Sequence, residues 1–196
     1  MGGSALNLSV CVYCASIEGI PPENRELAAA VGREIAERGW QLVSGGGKHS
    51  MMGAVAAAAR AGGARTVGVI PHSLVDREWA DDDADELLVV DTMRDRKALM
   101  EAHSDAFLAL PGGVGTCEEL FEVWTSGYLG MHAKPVVLLD PHGHYTGLLS
   151  WVDELCERGF VLPSAIERLR VTTTVEAALD ACAAAVGEAD VFRTTR

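Results

Sequence analysis

A chain of 196 residues with 48% hydrophobic and 22% charged side chains has enough apolar material for one domain with a sizeable core and lies far from the disordered regime. Its formal net charge of −12 weighs against nucleic-acid backbones and anionic membrane surfaces as partners, since both would repel it without a basic patch. No apolar run is long enough to cross a bilayer, and the opening MGGSALNLSV lacks the basic segment and apolar stretch of an export signal, so a single domain over 1–196 with a cytoplasmic address is expected.

In chain order, LSVCVY reads as a first strand. Its Cys11 and Cys14 form a CxxC, but positions three apart on a strand face opposite ways, and no second CxxC completes a zinc site. The five cysteines are an odd number spread along the chain, which fits buried thiols in a reducing compartment rather than a disulfide framework. The helical pattern PENRELAAAVGREIAERG follows, then the strand QLVS, the loop SGGGKHS and a second helix, SMMGAVAAAARAGG. RTVGVI is a third strand. The acidic run at Asp81, Asp82, Asp83, Asp85 and Glu86 lacks calcium-loop spacing and reads as a solvated turn. Next come the strand ELLVV, the helix TMRDRKALMEAHS, the strand DAFLAL, the loop PGGVGT and the helix TCEELFEVWTSGYLG. KPVVLLD, HYTGLLSWVDELCERG and TVEAALDACAAAVGEA complete the chain as one strand and two helices. This alternation predicts an α/β fold, a Rossmann-like doubly wound sheet, mainly parallel, with helices on both faces.

Ligands of such sheets bind beyond the carboxyl ends of the strands, which directs attention to YCASIEG, SGGGKHS and PGGVGT. SGGGKHS is not a Walker A loop, because Leu42 stands where its first glycine is needed. PGGVGT is not a GxGxxG fingerprint, because Glu118 occupies the last glycine position. It offers either a tight turn or a phosphate site made of helix-start amides and a threonine hydroxyl.

Thr116 to Glu119 also fits S/T-x-x-E, a helix capping its own first turn. On the helix that follows, Cys117, Leu120, Phe121, Trp124 and Tyr128 form an apolar stripe, and at about 100° per residue Glu119 falls opposite it. Glu119 is thus either a capping residue or a carboxylate free to act in a pocket. Arg96 and Lys97, on the helix before DAFLAL, are either a surface pair or a grip for an anion. His103, His142 and His144 read as loop or surface residues, and no Asp/His cluster has the spacing of a metal site.

Together, PGGVGTCEE and the upstream MRDRK resemble the PGGxGTxxE and MxxRK elements of the Lonely Guy family, cytokinin riboside 5′-monophosphate phosphoribohydrolases once labelled lysine decarboxylases. The similarity runs from SVCVYCAS through LVSGGGKHSMMG, VGVIP and KPVVLLD to Phe160. It implies hydrolysis of the N-glycosidic bond of an isopentenyladenosine-type monophosphate, releasing free base and ribose 5-phosphate, with no metal or other cofactor. Carried over by position, Arg96 and Glu119 match the family's essential pair. Gly112, Gly113, Val114, Gly115, Thr116, Cys117 and Glu118 match its substrate-binding segment, together with Lys97 and Thr125. Glu78 matches the acidic residue of a PRE-type element in which Asp76 replaces the proline. A homodimer whose active sites are completed by the second subunit is likewise implied. CASI in place of CGSS, and SGGGKHSMMG in place of YGGGNVGLMG, alter the edge of the base pocket. An AMP nucleosidase without prenyl preference and a nucleotide carrier that does not hydrolyse are the alternatives. A pyridoxal-dependent decarboxylase lacks a recognisable Schiff-base lysine.

Overall fold

The computed structural model describes residues 7–76 and 79–193. Among these residues, seven parallel strands form one sheet: β1 (Ser9–Tyr13), β2 (Gln41–Ser44), β3 (Thr66–Pro71), β4 (Glu86–Val90), β5 (Ala106–Ala109), β6 (Val136–Leu139) and β7 (Leu169–Thr172). Their order across the sheet is β4-β3-β2-β1-β5-β6-β7. The chain therefore builds outward from β1 to β4, returns to lay β5 on the other side of β1, and builds outward again. The reversal between β1 and β5 is the topological switch point, where the connecting loops diverge and leave a crevice at the carboxyl ends of the strands.

The helices are α1 (Pro22–Glu37), α2 (Ser50–Ala61), α3 (Met93–Ala102), α4 (Val114–Tyr128), α5 (Thr146–Glu157), the short α6 (Pro163–Ile166) and α7 (Val175–Arg193). Alternation along the strands divides the interior into two layers. Val10, Val12, Leu42, Leu108 and Val137 meet α1, α2 and α7 on one face. Cys11, Tyr13, Val43, Phe107 and Val136 meet α3, α4 and α5 on the other. Cys11 and Cys14 consequently sit in different layers, both buried and free. Burial pushes the Cys11 thiol up to about 12 and the Cys14 thiol higher still, so neither supplies the thiolate that redox or metal chemistry needs.

Three expectations are corrected. β7, with sequence LRVT and a half-exposed burial pattern, is an edge strand that the apolar-run criterion overlooks. The acidic turn is anchored rather than simply solvated. Asp81 is buried and takes both Arg60 guanidinium nitrogens, at 2.7 and 3.1 Å, and Asp85 accepts from the Thr66 amide at 2.7 Å. Finally, α4 begins at Val114 with Gly113 as its N-cap and no side-chain cap, so Thr116 does not form the expected capping box.

Candidate active site

The early start of α4 changes what PGGVGT is. Val114, Gly115 and Thr116 are the first three helical residues, and their amides have no carbonyl one turn earlier within the helix to bond. Gly113, Val114 and Gly115 are exposed, so a row of N–H groups faces outward at the positive end of the helix dipole. Gly112 makes the turn sterically feasible: a β-carbon there would lie 2.1 Å from Thr116 Oγ1. Thr116 itself is buried against that glycine.

The buried face of α4 is Thr116, Leu120, Val123, Trp124 and Gly127. It is rotated about 70° from the stripe expected from the sequence, because Gly127 and Thr116 pack inward while Tyr128 stays at the surface. Glu119 is therefore on the flank of the buried face, half-exposed, instead of opposite it. Its charge adds to burial in raising Tyr13, Cys11 and Cys14, which belong to β1 and the loop that follows it.

Arg96 reaches from α3 to β3 and to the loop that follows β2. It is 4% exposed, far from the surface cation that its helix position would allow. Its Nε donates to Val69 O at 3.0 Å and its Nη2 to Gly45 O at 2.7 Å. Gly45 is required for this approach, since a β-carbon there would stand 2.2 Å from Nη2. The guanidinium also lowers the Cys11 thiol, opposing Glu119. The Cys11 thiol of β1 thus feels both groups with opposite sign, Arg96 coming from α3 and Glu119 from α4, the helices before and after β5.

Lys97 turns instead to α4, where it pairs with Glu118 and, at 2.7 Å, with Glu122. Burial disfavours its charge, but those two carboxylates outweigh burial and hold its pKa above the ordinary value. Cys117 is half-buried, with its thiol raised by burial. Thr125 lies apart from the crevice, exposed in an apolar groove of about 270 Å³ with Trp124, Tyr128, Trp151, Phe160 and Leu162. Glu78 falls outside the described residues. The crevice rim is tied across two loops by Glu18, which accepts from the Ser50 amide at 2.9 Å and lies 3.3 Å from His49 Nδ1.

Sequence reasoning missed Gly45 and the residues bracing PGGVGT from behind. Tyr145 OH donates to Leu110 O at 2.7 Å, Ala15 N to Pro111 O at 3.2 Å, and His144 Nε2 to Gly112 O at 2.9 Å. The SGGG run was a signal for Gly45, but nothing local marks contacts across more than thirty residues.

Fold and site together define a Rossmann-like α/β protein that presents a helix start suited to an anion, with a glutamate on that helix and a buried arginine on the helix before it. A family model described as possible lysine decarboxylase matches residues 52–182. The chain belongs to that family, the Lonely Guy family. It is 59% identical over 175 residues to a cytokinin riboside 5′-monophosphate phosphoribohydrolase of Mycobacterium tuberculosis, covering 89% of this chain and 93% of the relative. To an Arabidopsis thaliana phosphoribohydrolase of the same description it is 45% identical, covering 81% of this chain and 74% of the relative. Among solved structures, the molybdenum cofactor carrier protein of Chlamydomonas reinhardtii aligns with TM-score 0.69 at 20% identity, covering 92% of this chain and 99% of that one. The molybdenum cofactor binding protein of Rippkaea orientalis aligns at 0.68 and 21%, covering 90% and 96%. At such identities these two show a shared fold.

Proposed function

We propose that this protein hydrolyses the N-glycosidic bond of cytokinin riboside 5′-monophosphates, releasing the free base and ribose 5-phosphate, and cleaves AMP to adenine at the same site. The observation that carries this reading is the buried Arg96, pinned by two backbone carbonyls, together with Glu119 near the start of α4, in a chain 59% identical to an enzyme of that name.

The chemistry asks for such an arrangement. Breaking the ribosyl C–N bond builds positive charge on the sugar, and a carboxylate at the anomeric carbon lowers the barrier electrostatically. Glu119 takes that role and orients the attacking water. Arg96, pinned by two backbone carbonyls, offers a fixed charge to the phosphate or to the departing purine at no reorganisation cost. The amides from Gly113 to Thr116, with Gly112 and Cys117 shaping the turn, hold the 5′-phosphate. That remote contact positions the sugar for attack. Lys97 and Glu118 close one side of the loop as a pair, and Glu78 is assigned to substrate binding by the resemblance alone. Lys97, kept protonated by its two carboxylates, is the opposite of a Schiff-base lysine, which must shed its proton to attack.

A homodimer is part of the proposal. Trp151, Phe160 and Leu162 are 51%, 71% and 56% exposed around the groove that holds Thr125, and a cluster of this kind favours burial against a second subunit. Thr125 lines that groove, which supports a role for it at a site shared between two subunits. A light-scattering mass near that of one chain at micromolar concentration would count against this. Five free cysteines, three of them buried, support a reducing, cytoplasmic setting.

The test is incubation with isopentenyladenosine monophosphate and chromatographic detection of free base. Glu119→Gln should lower kcat by about 10²–10⁴-fold with a small change in KM. Absence of base, or undiminished release by the variant, would refute the reading. The ratio of kcat/KM for the prenylated nucleotide and AMP decides whether the side chain is recognised.

A further inference from the structure

Behind the phosphate loop, the geometry points to His144 as a positioning residue that locks the Gly112–Gly113 peptide in the orientation required for phosphate binding. The inference rests on the function proposed above and extends it to a residue outside both PGGVGTCEE and MRDRK.

His144 lies in the loop between β6 and α5, held from below by Asp140. The Asp140 carboxylate accepts the His144 amide at 2.8 Å through one oxygen and the Tyr145 amide at 2.8 Å through the other. The imidazole packs edge-on against the Tyr145 ring, with centroids 4.7 Å apart, and its Nε2 meets Gly112 O at 2.9 Å. A carbonyl only accepts, so Nε2 carries the proton in this contact. With Tyr145 OH on Leu110 O and Ala15 N on Pro111 O, three successive carbonyls entering the loop are held by three separate partners.

The third of these matters most. Proline fixes φ at Pro111, and Gly113 O accepts the Cys117 amide at 3.0 Å within the first turn of α4. Between them the Gly112–Gly113 peptide joins two residues without β-carbons, the pairing with the lowest resistance to a peptide flip. A peptide unit is planar and trans, so its C=O and the following N–H point in opposite directions. Drawing Gly112 O onto His144 therefore turns Gly113 N–H to the far side of the turn, where the helix-start amides lie. Without His144, the peptide is free to rotate and present its carbonyl to the phosphate, replacing attraction by repulsion.

The experiment compares binding and turnover in four variants. Calorimetric affinities for AMP and for adenosine would be measured in a Glu119→Gln background, so that no substrate is consumed, and KM and kcat in the otherwise intact enzyme. His144→Phe keeps the aromatic packing on Tyr145 and removes the donor. It should weaken AMP binding about tenfold and lower kcat/KM for the nucleotide by at least as much, leaving adenosine affinity within about twofold, and His144→Ala should match it. His144→Gln, whose amide nitrogen reaches as far as Nε2, should restore most of the loss, and the shorter His144→Asn should not. Wild-type AMP affinity in His144→Phe, or an equal loss for AMP and adenosine, would overturn the inference, as would failure of Gln to rescue. If no base is released by the wild-type protein but AMP affinity still follows this order, the hydrolytic reading falls and the role of His144 stands.

Discussion

Replacing Gly45 by alanine tests the site without altering any residue assigned to chemistry. A β-carbon at that position would lie 2.2 Å from Arg96 Nη2 and 3.0 Å from its Cζ, against a contact optimum of about 3.5 Å. The guanidinium must retreat by roughly 1 Å, losing the 2.7 Å bond from Nη2 to Gly45 O. A hydrogen bond to a charged group contributes about 1.5–3 kcal/mol. If that placement is expressed in the transition state, kcat/KM for the nucleotide falls by about 10- to 150-fold, at a factor of ten per ~1.4 kcal/mol. Crowding in the buried layer costs stability as well, about 1–3 kcal/mol, which lowers Tm by about 2–12 °C for a chain of this size. Base release would be measured well below the variant's Tm, with circular dichroism to verify the fold. The Arg96→Ala background provides the control, because once the guanidinium is absent the added methyl group should cost no further activity. A folded Gly45→Ala protein with kcat/KM within twofold of wild type would refute the idea that the fixed position of Arg96 matters.

Two further predictions concern charge and thiols. The pKa of Lys97 is raised in the folded protein by Glu118 and Glu122 against the opposing effect of burial. Its stabilisation is therefore complete below the ordinary lysine value of 10.5 and lost as pH rises through the higher folded value. Lys97→Met should lower stability by about 0.5–1 kcal/mol at pH 8, a gap in urea midpoints that narrows under strongly alkaline conditions; a gap independent of pH would contradict the ion-pair account. In the native protein at pH 8, a disulfide reagent should reach only Cys117 and Cys156 at an appreciable rate, since Cys11, Cys14 and Cys182 are buried. Rapid reaction of all five thiols would show that the sheet layers are open.

Of the six strands read from the sequence, the five inner ones were legible because parallel strands covered on both faces must be apolar at nearly every position, as in β5 and β6, where all four residues are buried. β7 escaped because its edge position lets it carry Arg170 in the short run LRVT, whereas the other edge strand, β4, keeps the apolar run LLVV. The helix that carries Glu119 was identified, but its start and its buried face were misjudged together. Gly-Val-Gly has the composition of a loop, and only packing against Gly112 shows that Thr116 is an inward-facing residue of the first turn and not its cap.

By itself, the sequence determined which residue types were available and in what local order: an α/β alternation, a glycine loop opening into a helix, an arginine and a glutamate 23 positions apart. Only the tertiary structure decided that Arg96 is buried, that Gly45 makes room for it, and that His144 braces Gly112. Local pattern follows from short-range sterics and hydropathy, which are written along the chain. Those three contacts depend on the strand order that brings β2 and β5 to either side of β1 and β6 alongside β5, a property of the whole sheet that no single segment encodes.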